Sequence, residues 1–128
     1  MQPVIGLDFG TTNSAIAVAS PGKDAMLAHF GNAATSSFRS ILYFPQKERS
    51  SPVKAETKAG PEAISSYLEA DTKGRLILSI KSYLASRLFT STVINGRHYT
   101  LEDLIAIILR QLRLAMHFIA QLRTRKSN

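Results

Sequence analysis

Ile5-Gly6-Leu7-Asp8-Phe9-Gly10-Thr11-Thr12-Asn13-Ser14 sets an acid at the end of a short apolar run and a glycine at the head of a polar turn. Val4 to Asp8 before the turn and Ala15 to Ala19 after it are both short and apolar, so the stretch reads as strand, tight turn, strand. Gly10 lets the backbone turn sharply and come close to a ligand, so that successive N–H groups around Gly10, Thr11, Thr12 and Asn13 can point at phosphate oxygens. The threonine hydroxyls add further donors. Asp8, at the mouth of the strand, is positioned to hold the water shell of a Mg²⁺ that bridges phosphates, because Mg²⁺ keeps most of its waters and takes few direct carboxylates. This is not a Walker loop: the Gly-Lys-Ser/Thr ending is missing, and the turn leads into a strand rather than a helix.

Further along the chain, Pro21-Gly22-Lys23-Asp24 is a second turn signal, and Ala25 to Phe30 is expected to return as the third strand of a meander. Ser40 to Phe44 reads as one more strand, stopped by Pro45, with Gln46 to Lys58 a loop or irregular hairpin. Gly60-Pro61 opens a short helix to about Glu69, with Ile64, Tyr67 and Leu68 on one face. Leu76 to Ile80 is expected as a strand and Lys81 to Leu88 as a helix, from the spacing of Tyr83, Leu84 and Leu88. Asn95-Gly96 between Thr92-Val93-Ile94 and Arg97-His98-Tyr99 predicts a hairpin, since both turn positions need positive φ. Thr100 as N-cap with Asp103 returning a capping-box bond opens a long helix. Leu101, Leu104, Ile105, Ile108, Leu112, Ala115, Ile119 and Leu122 mark its core face, and Ile107, Leu114 and Phe118 give it a second apolar side that should pack on another layer.

At 128 residues, 45% hydrophobic and 20% charged, the composition is that of one globular domain, neither disordered nor membrane-embedded. No apolar run is long enough to span a bilayer and Met1-Gln2-Pro3 lacks a signal-peptide layout, so a cytoplasmic protein with no membrane partner is expected. There are no cysteines, and His29, His98 and His117 lack metal-ligand spacing, which argues against a zinc enzyme. A net charge of +7 invites a nucleic-acid reading. The basic residues are spread out, however, apart from Arg110, Arg113, Arg123, Arg125 and Lys126 after the last acid, Asp103. Cations at a helix C-terminus complement its dipole, so a solvated end is expected and no specific nucleic-acid partner.

The opening motif resembles the first phosphate motif of the superfamily that joins actin, sugar kinases and heat-shock ATPases, and Thr-Thr-Asn-Ser after Asp-Phe-Gly is most similar to the DnaK-type seventy-kilodalton heat-shock proteins. A polar turn beside an Asp occurs in many hairpins, but agreement over ten residues sets this one apart. Phe38-Arg39-Ser40-Ile41-Leu42-Tyr43-Phe44 resembles the family's strand after its threonine-rich turn, Gly60-Pro61-Glu62-Ala63 its Gly-x-x-Ala helix start, and Thr100 to Leu112 its long helix. Ser79-Ile80-Lys81-Ser82-Tyr83-Leu84 is similar to the segment with the family's catalytic lysine, which implies that Lys81 stands beside the γ-phosphate and the attacking water. Without the resemblance, Lys81 reads as a surface lysine lying over apolar side chains. Ser82 replaces the family's usual arginine and Arg39 stands where proline is common, departures that point to a divergent, YegD-like branch.

The resemblance implies an α/β fold, part of an actin-like, ribonuclease-H-like ATPase domain with a mixed sheet and flanking helices. It divides the chain into phosphate-turn strands (1–45), an outer subdomain (46–99), the long helix (100–123) and a tail (124–128). It implies ATP or ADP and Mg²⁺ as ligands, with Asp8 and Lys81 catalytic, Asp8 holding Mg²⁺ through water, and Gly10, Thr11, Thr12 and Asn13 binding phosphate. For a full-length parent it implies unfolded client proteins and co-chaperones. The family clamps nucleotide between this turn and a second glycine-rich loop, yet the last glycine here is Gly96. The 128 residues are therefore expected to form an incomplete nucleotide-binding domain that binds ATP weakly or not at all, cannot hydrolyse it alone, and is marginally stable or self-associating through exposed core surface. The alternatives are a piece of a sugar or acetate kinase, which shares the turn, and a non-enzymatic basic interaction module. The match from Ser79 to Leu84 favours the heat-shock branch over the kinases.

Overall fold

Ser14, Ile16 and Val18 are buried while their neighbours in sequence are not, the period of two that a sheet with one covered face imposes. They lie on β2 (Asn13–Ser20), the central strand of the first sheet. The computed structural model describes residues 2–30, 35–50 and 55–125. β1 (Val4–Phe9) runs antiparallel to β2, from Val4 opposite Ala19 to Phe9 opposite Ser14. On the other side of β2 lie β3 (Lys23–Leu27) and the two-residue β4 (Phe38–Arg39), the latter pairing Arg39 with Asn13 and Phe38 with Ser14.

The second sheet is built on β5 (Leu42–Phe44), which runs between β6 (Lys58–Ala59) and β7 (Arg75–Ile77). All three β5 residues are buried: Leu42 and Phe44 join the main core, while Tyr43 points the other way to pack with Ile41 and Ala63. Tyr43 donates its hydroxyl to the Lys73 carbonyl at 2.7 Å and meets Tyr67 edge-on at 5.6 Å. Between β6 and β7 runs α1 (Pro61–Glu69), opened by Pro61 at its first turn. Gly60 before it has φ of 66°, and a side chain there would run into the Phe38 ring.

β8 (Ser91–Ile94) and β9 (Arg97–Thr100) form the expected hairpin, with Asn95 and Gly96 at φ of 51° and 78°. It feeds α2 (Leu101–Arg125) through a complete capping box. The Asp103 carboxylate accepts from the Thr100 N–H at 2.9 Å, and the Thr100 hydroxyl oxygen accepts from the Asp103 N–H at 3.1 Å. The Thr100 N–H first, then its hydroxyl, holds the Asp103 carboxyl below its ordinary pKa. Leu101, Leu104, Ile108, Leu112 and Ile119 are buried on the predicted face, which covers β2 and the segment from Ile80 to Ala85. On the second apolar side Ile107 is half-buried against the core and Leu114 is exposed. The side chains of Phe118 and Leu122 lie outside the described ones, as does Lys126.

The molecule is thus a mixed α/β structure with antiparallel sheets, and among the described residues no helix is long and apolar enough to cross a membrane. Three local expectations are corrected. The third strand starts at Lys23 and ends at Leu27, because the turn at Pro21-Gly22 is tight enough to begin pairing at Ser20 and Lys23. Ser40 to Phe44 is not one strand: the chain leaves the first sheet after Arg39 and enters the second at Leu42, with Ser40 at the bend. The strand expected at Leu76 to Ile80 ends at Ile77, and the helix expected at Lys81 to Leu88 is a short 3₁₀ segment, Ile80–Ala85, entered through a left-handed Ser79. Only Ile80 of that segment is fully buried; Leu84 is exposed and Leu88 is 97% exposed, so the helical spacing of leucines had no surface to cover.

Candidate functional site

Gly10, Thr11 and Thr12 form the connection between β1 and β2 at the open end of the first sheet. A β-carbon at Gly10 would collide with the Asn13 carbonyl oxygen, so the turn closes this tightly only around glycine. Thr11, Thr12 and Asn13 are exposed, and the N–H groups of Thr11 and Thr12 donate to no backbone carbonyl among the described residues.

The carbonyls of the turn are, in contrast, engaged. The Ser40 hydroxyl donates to the Gly10 carbonyl at 2.8 Å, and the Ser40 N–H donates to the Thr12 carbonyl at 2.9 Å. Ser40 is fully buried, and its oxygen lies 2.8 Å from the hydroxyl of buried Ser14. A hydroxyl has one proton; with that of Ser40 committed to Gly10, Ser14 must donate to Ser40. Two buried serines thereby hold the turn from beneath, and their own polar atoms are satisfied.

The third engaged carbonyl belongs to Phe9. Lys81 reaches it from the 3₁₀ segment, its ammonium donating at 2.7 Å across 72 residues of sequence. Ile80, fully buried against the core beneath α2, anchors the segment and leaves the neighbouring lysine at the surface. The lysine therefore stands at the junction of strand and turn, between Asp8 and Gly10, with its charge accessible to solvent. The Phe9, Gly10 and Thr12 oxygens are thus engaged, while the Thr11 and Thr12 N–H groups without a backbone acceptor, the exposed threonine side chains and the Lys81 ammonium gather at the turn. That is the arrangement that attracts an anion.

Asp8 is exposed at the end of β1, and no ion pair of its carboxylate is found among the described residues. A single free carboxylate beside a tight glycine turn suits a hydrated Mg²⁺ that arrives with phosphates. Among the described residues no group of three or more His, Asp or Glu could hold a metal ion by protein ligands alone. The six residues singled out in the sequence, Asp8, Gly10, Thr11, Thr12, Asn13 and Lys81, thus meet at one end of the first sheet. Sequence reasoning missed Ser14 and Ser40, the support beneath them. Ser40 carried a signal: it is a lone small hydroxyl at the start of an apolar run, and such a residue when buried needs a partner.

The site is an open surface. Clefts of about 600 Å³ between α1 and α2, and about 720 Å³ beside Lys47 and Asp71, include none of its residues. Compared with models of known protein families, the chain matches none.

Proposed function

We propose that the chain supplies the first phosphate-binding wall of a DnaK-type ATPase, with the actin-like, ribonuclease-H-like architecture of that family. The observation that carries this reading is the contact of Lys81 with the Phe9 carbonyl. Two segments that resemble the family's phosphate turn and its catalytic-lysine segment lie 72 residues apart, and they meet.

In this reading the terminal phosphate of ATP rests on the Thr11 and Thr12 N–H groups, with the threonine hydroxyls and Asn13 as further donors. Lys81 places a positive charge at the γ-phosphate and holds the attacking water through a hydrogen bond to its oxygen, its orientation fixed by the bond to Phe9. Asp8 would be the residue that holds a hydrated Mg²⁺ beside the phosphates. The ion, when bound, neutralises charge on the phosphate oxygens. Ser14 and Ser40 keep the turn closed so that little reorganisation accompanies binding. Chaperone clients, co-chaperones and a cytoplasmic setting follow from the same proposal.

Thermal unfolding with millimolar Mg-ATP tests it. Ligand that binds only the folded state raises the midpoint. The wild type is expected to gain, Lys81→Ala and Asp8→Asn to gain less, and ATP without Mg²⁺ to act more weakly. Equal gains in wild type and Lys81→Ala would overturn the reading.

A further inference from the structure

Arg39 belongs to none of the groups assigned so far, yet β4 brings it to the same turn. It pairs with Asn13 across the β2–β4 ladder, one residue from the pair formed by Phe38 and Ser14. Phe38 and Ser14 are both buried, so the pleat sends the side chains of Asn13 and Arg39 to the opposite, solvent face, and both are exposed. Asp8 pairs with Ala15, two residues along β2 from Asn13, and therefore shares that face. The backbone on the far side of Arg39 is fixed as well, because the Ser40 N–H is bonded to the Thr12 carbonyl. Asp8 and Arg39 thus flank the start of β2 on opposite sides, two strand spacings across and two residues along it, about 12 Å apart between backbones. No ion pair of Arg39 is found among the described residues.

We infer that Arg39 is a second cationic contact for the anion held at this turn, and that it tunes the site to polyphosphates over single phosphates. A guanidinium presents a planar fork of donors that matches phosphate oxygens and stays charged at any working pH. One phosphate on the turn is reached by Lys81; a chain of phosphates lying along this face also reaches Arg39. Asp8, placed on the other flank of β2, then holds the hydrated cation without competing for the guanidinium. This inference rests on the proposed phosphate-binding turn.

Titration of the isotope-labelled chain with orthophosphate, pyrophosphate and tripolyphosphate, each with Mg²⁺ and followed by amide chemical shifts, separates the two ideas. The wild type is expected to show shifts at Gly10 to Asn13 and to bind more tightly as the phosphate chain lengthens. Arg39→Gln should weaken tripolyphosphate about 3- to 10-fold, leave orthophosphate nearly unchanged, and reduce the slope of log affinity against log salt by about 1. Arg39→Lys should recover part of the loss, and Arg87→Gln should behave as wild type. If Arg39→Gln binds tripolyphosphate as the wild type does while Gly10 to Asn13 still shift, the role of Arg39 is wrong and the turn stands. If the wild type shows no shift at Gly10 to Asn13 with any of the three anions, both ideas fall.

Discussion

β5 and β1 are both short apolar strands, and they meet opposite fates. Leu42, Tyr43 and Phe44 of β5 are all nearly inaccessible, whereas Val4, Ile5 and Leu7 of β1 are about half exposed or more, at 68%, 49% and 50%. β5 has a strand on each side and apolar groups against both faces. β1 has β2 along one side and no strand along the other among the described residues. An apolar run fixes where a strand forms, while neighbours decide whether it is covered. The uncovered strand is also the one that carries Asp8 into the Gly10 turn, where the phosphate site is proposed.

That contrast can be broken by substitution. Ile108→Ala and Leu42→Ala, which empty fully buried sites, should each cost about 2–5 kcal/mol in urea unfolding. Leu7→Ala should cost within about 0.5 kcal/mol, the range for surface changes. A cost for Leu7 equal to that for Leu42 would show that β1 is covered in solution. Unpaired strand edges invite pairing, so Leu7→Lys should also reduce self-association of the chain in sedimentation, and an unchanged distribution would remove β1 as the sticky surface. An effect between those of the core and of Leu7 lies within the turn. Ser40→Ala strips the Gly10 carbonyl and the Ser14 hydroxyl of their partner in a buried setting, for a loss of about 1–3 kcal/mol. Faster amide exchange should appear at position 40, whose N–H is bonded to the Thr12 carbonyl, before it appears in α2. Loss of stability without that local loosening would mean that Ser40 supports the core and not the turn.

What could be read from the sequence was local. The capping box at Thr100 and Asp103, the hairpin at Asn95-Gly96 and the Pro61 helix start each depend on residues within a few positions of one another, and each is present in the structure. The glycine turn with its acid is local in the same sense. The support of that turn was not legible, because Ser40 reaches Gly10 across 30 residues and Ser14 across 26. Periodicity misled at Lys81 to Leu88, where leucine spacing fits a helix but Leu84 and Leu88 cover nothing. Lys81 itself was singled out only through its resemblance; charge and spacing alone fit a lysine lying over apolar neighbours. Its contact with Phe9 is tertiary, and so is the placing of Arg39 beside Asn13.

The most direct test of the central claim is chemical labelling with an acyl-phosphate derivative of ATP. In that reagent an amine beside the bound phosphates attacks the acyl carbon, forming a lysine amide and releasing ATP. Mass spectrometry is expected to find the acyl group first on Lys81, with excess Mg-ATP suppressing it there, while the remaining lysines react slowly and without protection. Labelling spread evenly over the lysines, or unprotected by Mg-ATP at Lys81, would contradict the claim that Lys81 and the Gly10 turn form one phosphate site.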